Sequence, residues 1–317
     1  MSPTSTPNQP RQHKGVPAGG QWRSVPKPEG PPLLGPGEGT APAGATEQPD
    51  ERLVRARDVL LAGLNALGPQ REALTVVGAQ AVFEHTRGRN DISLTLTVDG
   101  DTSVAPALVD PSFDIGQAMT SAGFVAHPGR PGIWGLPGLG DETTGFDLLV
   151  PGALAGPGRR GARVPGQDRH AIGRADGLEL SLLDREKRAL CAFDGSGRSL
   201  EAYVAGPAAL MCAKAHKLAE RLAQASGSGR DRVKAKDAAD VWRLMMVSDP
   251  AQVRSTFARF EDHEVLGPPI ARGRAYLEAL FGPGGPALAL ATASLGNRVA
   301  EGYVAKTIAQ WMARFRA

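Results

Sequence analysis

The sequence predicts an α/β protein, a mixed sheet covered by helices and followed by a helical region. Three observations carry this. One strand alternates strictly with period two, several short apolar runs are separated by turn residues, and beyond Gly206 the pattern turns helical. With 317 residues the chain is long enough for about two domains. Hydrophobic residues make up 41%, enough for a sizeable core, and the net charge of only +3 means that any nucleic-acid contact must rest on local clusters.

Residues 1–49 contain 11 of the 26 prolines and few large apolar side chains, so they read as a disordered tail. Within it, His13-Lys14-Gly15-Val16-Pro17-Ala18-Gly19-Gly20-Gln21-Trp22 resembles a basic element near the N-termini of some actinobacterial proteins. It reads either as a docking motif anchored by Trp22 or as a solvated basic tail. No signal-peptide core and no long apolar run is present, so a cytoplasmic protein without a membrane span is expected. Cys191 and Cys212 show no zinc or CxxC spacing, and Cys212 reads as a small core residue.

Order is expected from Asp50. Leu53, Val54, Arg57, Leu60, Leu61, Leu64 and Leu67 trace a helical stripe that Gly68-Pro69 ends. Ala73 to Val77 is an apolar strand running into Gly78-Ala79 and a short helix over Gln80 to His85. From Ser93 to Asp101 the alternation puts Leu94, Leu96 and Val98 on one face and Thr95, Thr97, Asp99 and Asp101 on the other. A helix follows at 114–122, then strands at Phe124–His127, Gly132–Leu136, Gly145–Val150 and Leu178–Leu183. Helices are expected at Pro207–Ala225, Lys236–Val247, Pro250–Glu261, Pro269–Phe281 and Gly302–Phe315. Composition places the domains at 50–205 and 206–317.

The chemistry concentrates on the alternating strand. Carboxylates at i and i+2 share one face, and their oxygens suit one or two hard cations such as Mg²⁺, with further oxygens supplied by a nucleoside triphosphate. Gly100 between them is expected to leave room for close approach. Asp147, the one carboxylate in an apolar strand, supplies the third oxygen ligand and assists an attacking hydroxyl. The turn at Gly78-Ala79 presents backbone N–H groups to phosphates.

In order, Val77-Gly78-Ala79-Gln80-Ala81, Thr97-Val98-Asp99-Gly100-Asp101, Phe146-Asp147-Leu148-Leu149 and a lysine-rich helix resemble the minimal nucleotidyltransferase superfamily. The resemblance covers roughly residues 50–247 and is nearest to the abortive-infection, toxin-type branch and its actinobacterial members. It implies Mg²⁺-dependent transfer of NMP from an NTP to a hydroxyl of tRNA or protein, with Asp99, Asp101 and Asp147 catalytic and metal-binding. It also implies a cognate antitoxin as a partner. The usual Gly-Ser is Gly78-Ala79 here, and the arginine often found before the Asp-x-Asp is absent, with Arg87 and Arg89 the nearest. A lapsed nucleotidyltransferase fold acting as a binding module, or an antitoxin-like interaction protein, is the competing reading.

Lys214, Lys217 and Arg221 fall beside the apolar stripe of their helix. They read either as a solvated face or as a cationic ridge, and the resemblance turns that ridge toward the triphosphate. Asp237 lies on the buried side of the next helix, with Asp240 one step round, and needs a cationic partner, for which Lys214 is the first candidate; the pair reads as catalytic or as structural, and the resemblance counts Asp237 among the nucleotide-binding residues. Arg159, Arg160, Arg163, Arg169 and Arg174 occupy a Gly/Pro-rich loop, readable as a contact for RNA phosphates or as a solvated loop. The glycines at 156, 158 and 161 match a dinucleotide fingerprint in spacing only. No histidine pair has metal spacing. His85 reads as packing at its helix end and His216 as exposed.

Overall fold

The structure, a computed structural model, describes residues 50–89, 97, 99–137, 145–228 and 234–317. The proline-rich tail, its Trp22 element and the first part of the alternating strand lie outside the described residues. Among the described residues, eight strands form one open mixed sheet: β1 (Leu74–Val76), β2 (Asp99–Val104), β3 (Val125–Ala126), β4 (Ile133–Gly135), β5 (Gly145–Pro151), β6 (Gly173–Ala175), β7 (Arg185–Cys191) and β8 (Ser199–Ala205). The order across the sheet is β3-β4-β5-β2-β1-β8-β7, and β6 also pairs with β5. β5 lies parallel to β2, and β1 is antiparallel to β2 but parallel to β8. On its other edge, β5 pairs first with β4 and then with β6.

The helices are α1 (Glu51–Ala66), α2 (Gly78–Thr86), α3 (Ile115–Ser121), α4 (Pro207–Ser228), α5 (Ala235–Val247), α6 (Pro250–Phe260), α7 (Gly267–Phe281), α8 (Ala287–Leu295) and α9 (Glu301–Arg316). None is long and apolar enough to cross a membrane. α1 starts at Asp50, whose side chain accepts from the Arg52 N–H, and ends before Gly68. Its apolar stripe crosses the face of β2 and β5 that carries Gly100 and Phe146. Two glycines allow this approach: a Cβ at Gly63 would meet the Phe146 ring at 2.7 Å, and one at Gly100 would meet the Leu60 Cα at 3.2 Å. Gly100 therefore faces the core, away from the aspartates, and serves helix packing rather than substrate approach. Period-two alternation requires this, since i+1 points opposite to i and i+2.

Arg57, which the stripe includes, is fully buried. Its guanidinium reaches Glu84 at 2.6 Å and Gln80 at 2.9 Å, and lies 4.2 Å from the Phe193 ring. Burying Phe146, Leu148 and Val150 beside Leu60 and Leu64 contributes roughly 1.5–3 kcal/mol per side chain.

Several sequence expectations need correction. Leu178–Leu183 is not a strand: Glu179–Leu182 is a 3-10 turn, whose apolar residues pack inward without a neighbouring ladder. β6, β7, β8 and α8 were not anticipated. β7 carries Arg185, Glu186, Lys187 and Arg188 in succession because it is an edge strand, so its sequence lacks the buried alternation that marks inner strands. β2 continues past Asp101 to Val104. His216 is buried, not exposed. α4 is packed by α2, α5, α6 and α7, and Gly273 lets α7 come close enough that a Cβ there would collide with Cys212 Sγ and meet the His216 ring at 3.2 Å. The His216 Nε2 hydrogen bonds to the Pro269 carbonyl at 2.8 Å.

Candidate functional site

β2 and β5 put the three aspartates on the face opposite α1. Asp99 and Asp101 project from β2 two residues apart, and parallel pairing sets Asp101 directly across from Asp147. All three are half-buried. Burial, and then the negative charge of Asp101 and Asp99, push the Asp147 carboxyl up to about 8. Burial and Asp101 also raise Asp99, against the pull of Lys236, Lys234 and the Gly145 backbone N–H. No described lysine or arginine pairs directly with these carboxylates.

Gly78 stands where β1 turns into α2. The Val77 N–H donates to the Asp101 carbonyl at 2.9 Å, so the turn is stitched to β2 beside the aspartate. Gly78 has φ +67, and a Cβ there would collide with Asp101 Oδ2. The glycine is required by both conformation and contact. Ala79 follows it, buried in the first turn of α2.

The lysine-rich helix separates into two roles. Lys214 is buried, and its ammonium is held by Asp237 at 2.8 Å and Asp240 at 2.6 Å. Burial opposes its charge, but the two carboxylates hold its pKa above the ordinary value. Burial likewise opposes the charge on Asp237, yet Lys214, Lys217 and Arg221 keep it at about 2. Arg221 reaches Asp237 at 3.1 Å, and Arg243 reaches Asp240 at the same distance. This network clamps α5 to α4. Lys217 sits at its margin, 43% exposed and 3.8 Å from Asp237. Burial and Lys214 lower its pKa, and its charge is felt at both Asp101 and Asp147.

Three cations near the aspartates escaped the sequence reading. Lys234 and Lys236, at the start of α5, act on Asp99, and Arg130, in the turn between β3 and β4, acts on Asp147. The run Lys234-Ala235-Lys236-Asp237 at a helix start was a visible signal for the first two. Nothing local marks Arg130. Arg243 was legible as the i+3 partner of Asp240.

The three carboxylates are an all-oxygen set of the kind that hard divalent cations take, and burial together with the charges of Asp101 and Asp99 drives Asp147 toward protonation. Among the described residues, no group of three or more His, Cys, Asp or Glu side chains is arranged so that it could hold a metal ion. His85 takes no part. Its Nε2 hydrogen bonds to the Ala205 carbonyl at 2.8 Å and its Nδ1 faces Arg188 at 3.2 Å. No family model and no curated protein matches the chain.

Proposed function

We propose that the chain is a Mg²⁺-dependent nucleotidyltransferase that moves NMP from an NTP onto a hydroxyl of tRNA or protein. One observation carries this: Asp101 and Asp147 face each other across neighbouring parallel strands, with Asp99 on the same side and cations from other elements around them. Asp99, Asp101 and Asp147 would hold the metal, which supplies charge neutralisation at the transferring phosphate. Asp147, freed of its own proton once a cation is bound, would also take the proton of the acceptor hydroxyl. Lys217, Lys234 and Lys236 offset triphosphate charge, while Lys214, Asp237 and Asp240 keep Lys217 and Arg221 in place. The Gly78-Ala79 turn, stitched to β2 beside Asp101, would offer backbone N–H groups to the phosphates. In the toxin-type version of this reading, an antitoxin would cover the site.

The second reading is a binding module on a lapsed nucleotidyltransferase fold. It is favoured by Ala79, which lacks a hydroxyl, and by Lys214, whose ammonium already faces two carboxylates inside the protein. Incubation with each α-labelled NTP, Mg²⁺ and either total RNA or total protein separates the two. Labelled acceptor that disappears in Asp147→Ala supports the transferase. Absence of label with every NTP, together with partner binding unchanged when all three aspartates become asparagine, supports the module.

A further inference from the structure

We propose that the segment between β5 and β6 is a docking surface for the phosphodiester backbone of a nucleic acid, and that it delivers the bound strand to the face of the sheet that carries Asp147. The delivery step rests on the transferase reading. The docking itself does not.

The segment has two unlike sides. Its underside is apolar, with Ala155, Val164 and Ile172 buried. Its outer side exposes Arg159, Arg160, Arg163 and Arg169. None of these four is ion-paired among the described residues, and the one nearby exposed carboxylate within the segment, Asp168, accepts from the His170 N–H. Four exposed guanidinium groups against the single carboxylate of Asp168 leave the segment with a net positive charge.

The segment is also held in shape. Arg163 N–H donates to the Ala155 carbonyl at 2.9 Å, and Ala162 N–H to the Ile172 carbonyl at 2.9 Å. Arg174 caps the carbonyls of Gly152, Gly156 and Gly158 at 2.6–3.1 Å, so this arginine braces the segment from within. Such a frame holds the remaining arginines outward at little further entropic cost.

Its position links it to the acidic site. β6 pairs with the second half of β5, and β4 pairs with the first half, where Asp147 lies. The turn of the β3–β4 hairpin touches the segment through Arg160 to the Gly129 carbonyl and His170 to the Pro128 carbonyl. That turn carries Arg130, whose positive charge reaches Asp147. These contacts set the segment against the turn that carries Arg130, so a strand docked on the segment would pass that arginine on its way to Asp147. Arginine is the residue suited to bidentate phosphate contact, and a track of exposed arginines fits a repeating polyanion better than a single small anion.

The test is fluorescence anisotropy with a labelled single-stranded RNA of about 20 nucleotides, and with DNA of the same sequence, across about 50–200 mM salt. Wild type is expected to bind, with affinity falling as salt rises. The variant Arg159→Glu/Arg160→Glu/Arg163→Glu/Arg169→Glu is expected to bind at least about tenfold more weakly and to flatten the log–log salt slope by about 3, at roughly 0.7 per phosphate contact. The corresponding four Arg→Lys changes keep the charge and are expected to retain most of the slope, and circular dichroism checks that all variants are folded. If the glutamate variant fails to fold, the four Arg→Ala changes take its place. Tighter binding of RNA assigns the source as RNA, and equal binding assigns the backbone alone. Both support the surface.

Unchanged affinity and slope in the folded charge-reversed or alanine variant would overturn the surface. So would binding to an acidic peptide with none to either nucleic acid. The Asp99→Asn/Asp101→Asn/Asp147→Asn variant is expected to bind nucleic acid with the wild-type slope while transferring no label. Nucleic-acid binding by a wild type that labels nothing leaves the surface standing and removes only the delivery step, together with the transferase reading. Normal labelling of RNA by the glutamate variant at unchanged KM overturns the delivery step and spares the transferase.

Discussion

Asp101 on β2 and Asp147 on β5 face one another in register across a parallel strand pair, on the side of the sheet away from α1. Two carboxylates in this relation repel, and partial burial makes the repulsion expensive. Protonation of one of them or a bound cation relieves it. Burial and the charges of Asp101 and Asp99 hold the Asp147 carboxyl up to about 8.

The first prediction follows from the sign of that shift. Asp147 in the unfolded chain has the ordinary carboxyl value of about 3.9, so between about pH 4 and pH 8 the folded state binds the extra proton. Without divalent cation, stability should fall as pH rises through this window, by an amount on the order of a few kcal/mol. Asp147→Asn should flatten the fall, and Mg²⁺ should restore stability at pH 8 in wild type but much less in the variant. Urea unfolding from pH 5 to pH 9 measures it, and parallel pH profiles for the two proteins would refute the coupling.

The second prediction concerns the metal face. Asp99→Asn and Asp101→Asn should each weaken Mg²⁺-dependent NTP binding, and the double variant should add little, because both serve one site. Folding should survive or improve as repulsion is removed. Calorimetric titration with NTP and Mg²⁺ reads this, and normal Mg²⁺-dependent binding in the double variant excludes the site.

A third prediction separates the two lysines of α4. Lys214→Met leaves Asp237 and Asp240 buried without their ammonium and should cost about 3–5 kcal/mol. Lys217→Met, at a half-exposed position, should change stability by under about 1 kcal/mol and act on the KM for NTP instead. Comparable losses of stability in the two variants would contradict this division.

The fourth prediction concerns Gly78. Its φ of +67 makes a side chain there cost about 1–2 kcal/mol, and the new Cβ would push against the Asp101 carboxylate. Gly78→Ala should therefore lower transferase activity well beyond its effect on melting temperature. Gly68→Ala, where a Cβ meets only the Arg71 side chain at 3.6 Å, is the control. Equal activity in the two variants would show that Asp101 has room to move.

The sequence by itself determined most of the helices, the strands up to β5 and the acidic face. Strict alternation placed Asp99 and Asp101 together, an apolar run made Asp147 stand out, and helical stripes located α1, α3, α4, α5, α6, α7 and α9, because period-two and period-3.6 patterns are written in neighbouring residues. The pairing of Lys214 with Asp237 was legible as well, since a carboxylate on a buried helix face demands a cation.

Tertiary structure alone decided the rest. Gly100 was assigned to substrate approach from its neighbours and is in fact where α1 packs, since only the sheet reveals what lies on its other side. His216 looked solvent-facing on a helical wheel and became buried because α7 closes over α4 at Gly273. β7 hid in a charged run because an edge strand need not alternate. Strand register set Asp101 opposite Asp147, and a hairpin turn brought the charge of Arg130 to bear on them. These relations join residues far apart in the chain, and their energies depend on burial and distance, which no local pattern records.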